Sequence, residues 1–309
     1  MITTINAIAP VFLIILIGYM LFRSGIIGES IWSAIEHICF YLLLPFLIIR
    51  TLSRADLGNV PVFEFMSAVI LAIAAMSGGM IIIYSLMRYK FPGSGPSFTS
   101  LFQGTLRYHG FVALAAIGPL YGDEGVALVA LSLAIMVPLL NVLSIVVLTI
   151  YGSSDTAFSH QRMLQQIIRN PLIWACVVGL LLNWTGVPDI LFSSIDIIGS
   201  GGLGLALLTV GAGIRLQQAA DNKLLIVFGV LLRLIGMPML LILTCWLLGL
   251  EGLPRTVAII SGAVPTAATS YVMARKMGGD APLMSSIVTF QIIAAFFTLP
   301  MFIFIAESW

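Results

Sequence analysis

Two short stretches of the sequence hold the side chains with chemistry to offer: TLRYHGF at 105–111 and GAVPTAATSY at 262–271. The first sets Arg107, Tyr108, His109 and Gly110 side by side; the second sets Pro265 before Thr266, Thr269 and Ser270. A guanidinium offers a planar fork of donors that grips a carboxylate with two bonds, so Arg107 points to an anionic ligand. An imidazole ordinarily titrates near neutral pH, which makes His109 a candidate proton carrier. Proline has no N–H, and its ring clashes with the carbonyl four residues back, here that of Ser261. A helix through Pro265 must therefore bend or break, and Gly262 eases the break. Gly110 offers the first stretch a similar backbone freedom. If the helix restarts near Thr266, its free N–H groups and positive dipole end make an anion site. Thr266, Thr269 and Ser270, at i, i+3 and i+4, then turn three hydroxyls to one face. Asn141, which follows Pro138, and Gln291 complete the expected substrate-binding set.

Each of these residues also has a plainer reading. A proline kink with hydroxyls bonded to the preceding turn is common in membrane helices. Arg107 suits a buried ion pair with Glu36 or Asp196, and His109 suits a packing bond to a carbonyl. Asn141 and Gln291 serve equally as glue between helices. Arg233, near Gly236 and Pro238, fits a structural ion pair as well as a ligand contact. Glu36 and Asp196 lie closer to helix ends, where a polar head can snorkel outward. The glycine run GSGGLGLALLTVGAG at 199–213 suits close helix packing. With no strand before it, it is not a nucleotide loop.

The rest of the chain fixes the setting. Of its 309 residues, 60% are hydrophobic and 9% charged, and the mean hydropathy is +1.11. A typical soluble domain is about 45–50% apolar and roughly 25% charged. So few charges cannot give a soluble sphere its polar skin. A formal net charge of +1 speaks against a nucleic-acid partner, and the apolar content against a disordered chain. Cys39, Cys176 and Cys245 each sit in a long apolar run, spaced for neither a disulfide framework nor a zinc site. His37, His109 and His160 form no HExxH pattern, and no metal, cofactor or enzymatic activity is expected. The composition is that of an integral membrane protein in a lipid bilayer.

A membrane-crossing helix needs about 20 mostly apolar residues. Ten stretches qualify, closed by charges or by Gly, Pro and Ser turns: 5–23, 31–52, 63–87, 97–121, 125–151, 164–184, 189–213, 223–249, 253–275 and 282–306. The run Ile8–Phe22 has no basic residue before it and no small-residue cleavage site behind it. It is expected to be a retained span, not a signal peptide. Loops after odd-numbered spans hold Arg23, Arg88, Lys90, Arg162, Arg169, Arg215, Lys223, Arg275 and Lys276. Loops after even-numbered spans hold Arg50, Arg54 and Arg255. Basic loops stay in the cytoplasm, so both termini are expected to be extracytoplasmic.

The two halves echo one another. Pro10, Gly18 and Gly25 match Pro171, Gly179 and Gly186 at an offset of 161, and Glu36 matches Asp196 at 160. Glu64 with Asp221, and Gly122-Asp123 with Gly279-Asp280, match at 157. Five spans per half, an odd number, make the second half enter the membrane from the opposite side. The expected fold is therefore an all-α integral membrane protein, with ten transmembrane helices arranged as two inverted five-helix repeats. Helices four and nine are expected to break and cross at the midplane, where such designs hold their substrate. Pro265 lies midway between Arg255 and Arg275, and the offset of 157 carries it onto Tyr108.

The segment SGAVPTAATSYVMARKMGGD, followed by SSIVTFQIIAAFFTLP, resembles the last two spans of the auxin efflux carrier family. YLLLPFLIIRTLSRADL and VPLLNVLSIVVL are similar to that family's second and fifth spans. The resemblance runs through the whole chain in order. The chain has no long central loop of the plant type, and so resembles the compact bacterial members. One departure is Tyr108-His109-Gly110, where an Asn- or Pro-containing crossover is expected. The resemblance implies a scaffold of spans 1, 2, 6 and 7 (1–61 and 160–220) that dimerises. It also implies a transport part of spans 3–5 and 8–10 (62–152 and 221–309) and a cytoplasmic linker at 153–159.

By the same resemblance the protein is a secondary-active or facilitative permease of the cell (inner) membrane. Its substrate is then a small organic anion, auxin in plants or a malonate- or malate-type carboxylate in bacteria, moved by alternating access. Protons or sodium are the candidate coupling ions. The nearest alternative is a sodium-coupled bile-acid-type symporter of the wider superfamily. A channel or a membrane sensor that binds without transporting is the alternative of a different class. Broken helices favour a single central site over a continuous polar path.

Overall fold

The computed structural model describes residues 2–55, 61–87, 89, 91, 93–153, 161, 165, 168–215 and 222–309, with side chains from Asn6 onward. Arg88, Lys90, His160, Arg162, Asp221 and linker residues 154–159 lie outside the described residues. Long apolar runs must satisfy their own backbone polar groups, which a helix does within one segment. Every regular element among the described residues is helical. In chain order these are α1 (Ile2–Arg23), α2 (Glu29–Ile38), α3 (Leu44–Arg54), α4 (Val62–Met87), α5 (Gly95–Leu106) and α6 (Gly110–Tyr151). They continue with α7 (Pro171–Thr185), α8 (Asp189–Ser200), α9 (Gly202–Ala212), α10 (Lys223–Leu231) and α11 (Met237–Leu247). The last three are α12 (Gly252–Ala263), α13 (Thr269–Lys276) and α14 (Ala281–Ser308).

Seven helical stretches among the described residues are long and apolar enough to cross a membrane. One of them, Gly95–Tyr151, holds both the fourth and the fifth expected spans. It is interrupted after Leu106 and kinked at Gly122, whose φ of 60° and ψ of −155° suit only glycine. The sixth expected span is represented by the shorter apolar helix α7, and the ninth by the two short helices α12 and α13. Two π-turns join helices end to end: Cys39–Leu43 links α2 to α3, and Leu232–Gly236 links α10 to α11. Each precedes a proline, Pro45 or Pro238, in the first turn of the next helix. The wider turn lets the chain pass the proline without ending the helix.

The chain divides into two compact units. The first comprises residues 1–60, 110–135 and 164–213. Here α1 lies along α9, with Gly18 against the Leu208 carbonyl and Gly211 against the Ile15 carbonyl. A Cβ at either glycine would overlap backbone, so the close approach depends on their lack of a side chain. α3 packs on α7 and α8, with Gly179 against Ile49 and Leu52 and Gly199 against Leu47. The Asn183 amide donates to the carbonyls of Leu52 (3.0 Å) and Ala55 (2.9 Å), closing the end of α3. Arg50 pairs with Asp196 at 2.7 Å.

The second unit comprises residues 61–109, 136–163 and 214–309. α11 packs on α4 and α12, while α14 lies against α5, α10 and α12. One end is pinned by Asp280: its carboxylate accepts from the Leu283 N–H (3.0 Å) and the Ser97 hydroxyl (2.9 Å). The Ser100 hydroxyl donates to the Asp280 carbonyl at 2.9 Å. The start of α5 is thereby fixed to the start of α14. Beside it Tyr84 stacks on Phe98 at 3.9 Å, with Tyr151 edge-on to both.

The glycine contacts yield a stability test. Gly211→Ala places a methyl group in the Ile15 carbonyl and should cost about 1–3 kcal/mol, as overpacking does. Gly204→Ala, on the same helix but with open space around it, should be neutral or slightly stabilising. Thermal unfolding of the detergent-purified variants checks this. Equal melting temperatures for the two would show that α1 and α9 do not pack as described.

Candidate functional site

The break between α12 and α13 follows from Pro265. A proline pushes the residue before it out of the helical region. Val264 is accordingly extended, with φ −77° and ψ 151°, and α12 stops at Ala263. The next helix begins at Thr269, three residues later than the sequence expectation of Thr266. Thr266 therefore belongs to the break, and its hydroxyl does not join Thr269 and Ser270 on a helical stripe. Nor is its N–H free: it donates to Gln291 Oε1 at 2.9 Å.

α5 has no proline at its end. Its last carbonyls are instead taken by partners from elsewhere in the unit. The Thr266 hydroxyl donates to the Gly104 carbonyl at 2.6 Å and the Arg107 carbonyl at 3.2 Å. The Gln291 amide donates to the carbonyls of Gly104 (2.7 Å) and Gly229 (2.8 Å). Ile287, one turn earlier on α14, fills the space beside these two glycines. Their missing side chains bring α14 close enough for a fully buried Gln291 to reach both carbonyls. Both ends of the Gln291 amide thus bridge between helices.

Arg233 completes the arrangement. It is fully buried in the second π-turn. Its Nε donates to the Val264 carbonyl at 2.8 Å and Nη2 to the Ser261 carbonyl at 3.3 Å. Its Nη1 donates to the carbonyls of Thr105 (3.4 Å) and Leu106 (3.3 Å). One guanidinium thus caps the C-terminal ends of both α5 and α12. Each such end carries about half a negative charge, so the two together balance the cation. Neither an ion pair nor a ligand is needed to account for Arg233.

Arg107 is the half-buried cation of the break after α5. It is the C-cap of α5, with φ −65° and ψ 152°, where the helix dipole favours positive charge. Its side chain crosses to the first turns of α13. There Nη1 meets Met273 Sδ at 3.1 Å and Nη2 meets Thr269 Oγ1 at 3.5 Å. A thioether is a weak acceptor, and the threonine contact is at the limit of a hydrogen bond. Among the described residues no carboxylate pairs with Arg107, and Asp196, one of its two expected partners, is held by Arg50.

The remaining expected residues are placed as follows. Tyr108 is buried, its hydroxyl 3.5 Å from that of Ser261. His109 is buried and precedes the first turn of α6. Gly110 opens α6 without a positive φ, so its backbone freedom is not what breaks the chain; it makes room for the Leu133 side chain. Pro265 is buried, Thr269 exposed, and Ser270 fully buried, with no partner for its hydroxyl among the described residues. Asn141 is half-buried on α6 and is not joined to the others by these hydrogen bonds. Sequence reasoning passed over Gln103, which is fully buried one turn before Arg107, with neither amide atom partnered among the described residues. An amide at membrane depth four residues from an arginine was the available signal.

Removing the cap exposes its weight. Arg233→Met leaves four buried carbonyls without their donor, and an unsatisfied buried group costs about 1–3 kcal/mol. A loss of about 3 kcal/mol or more is expected in detergent unfolding, partly restored by Arg233→Lys. Unchanged stability of Arg233→Met would contradict the capping role.

The description "Membrane transport protein" belongs to the family pattern that matches residues 3–303 of this chain. An "Uncharacterized transporter" of Methanothermobacter thermautotrophicus is 23% identical over 301 residues, which is 96% of each chain. Auxin efflux carrier component 5 of Arabidopsis thaliana is 24% identical over 332 residues, covering 94% of this chain and 93% of its own. Against the Probable auxin efflux carrier component 5b of Oryza sativa, identity is 30% over 140 residues, but only 42% of this chain and 38% of that one are aligned. Matched over nearly its whole length, with helices built to span a bilayer, the chain belongs to the membrane transport protein family of the auxin efflux carriers.

Proposed function

We propose that this transporter carries a small organic anion, a carboxylate, by alternating access around the breaks after α5 and α12. The observation that carries the reading is the Arg107 fork, held between a thioether and one threonine hydroxyl at the start of α13. A carboxylate leaving water loses its hydration, and an isolated ion in low dielectric costs many kcal/mol. The guanidinium supplies a full positive charge and two parallel bonds. The N-terminal end of α13 adds about half a charge more. Both acceptors that now hold Arg107 are weaker than a carboxylate, so a ligand displaces them at little cost.

The backbone supports an internal repeat. α5 and α12 are each 12 residues long and start 157 residues apart, and each is followed by a break. Gly25 and Gly186, both with positive φ, end α1 and α7 at the offset of 161. These matches favour ten spans in two inverted five-helix repeats. The same reading takes spans 1, 2, 6 and 7 as a dimerising scaffold in the cell membrane, with both termini outside. Protons or sodium would drive uphill movement.

Counterflow of labelled small carboxylates in proteoliposomes tests the proposal. Saturable exchange is expected for the wild type. Arg107→Lys keeps the charge but loses the planar fork, and its half-saturating concentration should rise about tenfold, near 1.4 kcal/mol. Exchange that is indifferent to Arg107→Lys, or ion conduction far above a carrier's turnover without exchange, would overturn it.

A further inference from the structure

Thr99, Gln103 and Arg107 follow one another at four-residue spacing along α5 and its C-cap, and so lie on one stripe. Both ends of that stripe meet the segment around α13. Thr99 lies with Ala274 against Gly279, and Arg107 reaches Thr269 and Met273. One turn along from Thr99 is Gln103; one turn back from Ala274 is Ser270. With α5 and α13 packed side by side, this register sets Gln103 opposite Ser270. Both side chains are fully buried. Among the described residues, neither amide atom of Gln103 nor the Ser270 hydroxyl has a hydrogen-bond partner. Buried polar atoms left without partners are costly, at about 1–3 kcal/mol each, and a fold keeps them only for a reason.

We infer that Gln103 and Ser270 form a second polar subsite, which reads a hydroxyl or amide carried by the substrate beside its carboxylate. The inference rests on the proposed carboxylate site at Arg107. Four residues of helix separate Gln103 from Arg107 by about 6 Å of backbone along the axis. Ser270 directly follows Thr269, which the guanidinium meets, so one short substituted acid can reach both places. The amide offers one donor and one acceptor, and the serine hydroxyl offers both. A group that donates and accepts at once, as a hydroxyl does, satisfies them together; a plain alkyl chain satisfies none. A cation is disfavoured, because Arg107 stands one turn away. A site built to bond a hydroxyl rejects the analogue that lacks it. The substrate class is therefore a small carboxylate with a second polar group, in preference to a simple fatty acid.

Equilibrium binding to the purified protein in nanodiscs tests this with matched acids: lactate against propionate, and 3-hydroxybutyrate against butyrate. Wild type should bind at least one hydroxy acid about tenfold more tightly than its plain counterpart. Gln103→Leu should erase that preference, leave the plain acid within about threefold, and melt no lower than wild type without ligand. Ser270→Ala, a smaller change, should erase part of the preference. Gln103→Leu weakening both acids alike, or melting well below wild type, would make Gln103 a structural residue and overturn the inference. Wild type binding both members of each pair equally would overturn it while leaving the carboxylate site standing. If no acid binds wild type, the carboxylate reading falls, and the subsite falls with it.

Discussion

A single buried guanidinium holds the ends of two broken helices. Arg233 donates to the carbonyls of Thr105, Leu106, Ser261 and Val264, the last acceptors of α5 and α12. A helix that stops inside a membrane protein leaves carbonyls that no water satisfies. Without a donor at that point, neither break would be tolerable. With it, two negative dipole ends and one cation cancel. The breaks in turn set Arg107 and Thr269 where they meet. The candidate site is thus a consequence of how the chain solves its hydrogen bonding.

Three side chains divide the labour at this point, and chemistry separates them. Arg233 and Gln291 are spent on backbone: their six donor contacts reach six carbonyls, and the Thr266 hydroxyl adds a seventh, that of Arg107. Arg107 is not spent in this way, since its partners are a sulfur and a distant hydroxyl. A residue whose donors are saturated by main chain is structural. One held only by weak acceptors keeps donors to offer a ligand.

Much of this was legible in the sequence, and the remainder has identifiable causes. The helical, membrane-spanning character follows from long apolar runs, which leave the backbone no other way to satisfy itself. Pro265 announced a break because its effect is local, acting on Val264 and Ser261. The restart at Thr269 was not legible, because tertiary bonds from Gln291 and Arg233 hold the intervening residues open. The break after Leu106 was expected at the right place but from the wrong source. Gly110 marked the spot, yet the acceptors of α5 are drawn off by side chains over 120 positions away in sequence, such as Arg233 and Gln291. The role of Arg233 left no signature either, since its partners are carbonyls, which every residue possesses. Gln103 was missed because one amide in an apolar span reads as packing until its lack of partners is seen.

The central claim is that Arg107 is the seat of a bound carboxylate, and a structure determined with a small carboxylate at saturating concentration tests it most directly. The account predicts the ligand's oxygens within hydrogen-bond distance of the Arg107 Nη atoms and the Thr269 hydroxyl, with the guanidinium lifted off Met273. Arg233 should keep its bonds to Val264 and Leu106 in that structure. A ligand bound elsewhere, with Arg107 still seated on Met273, would contradict the account.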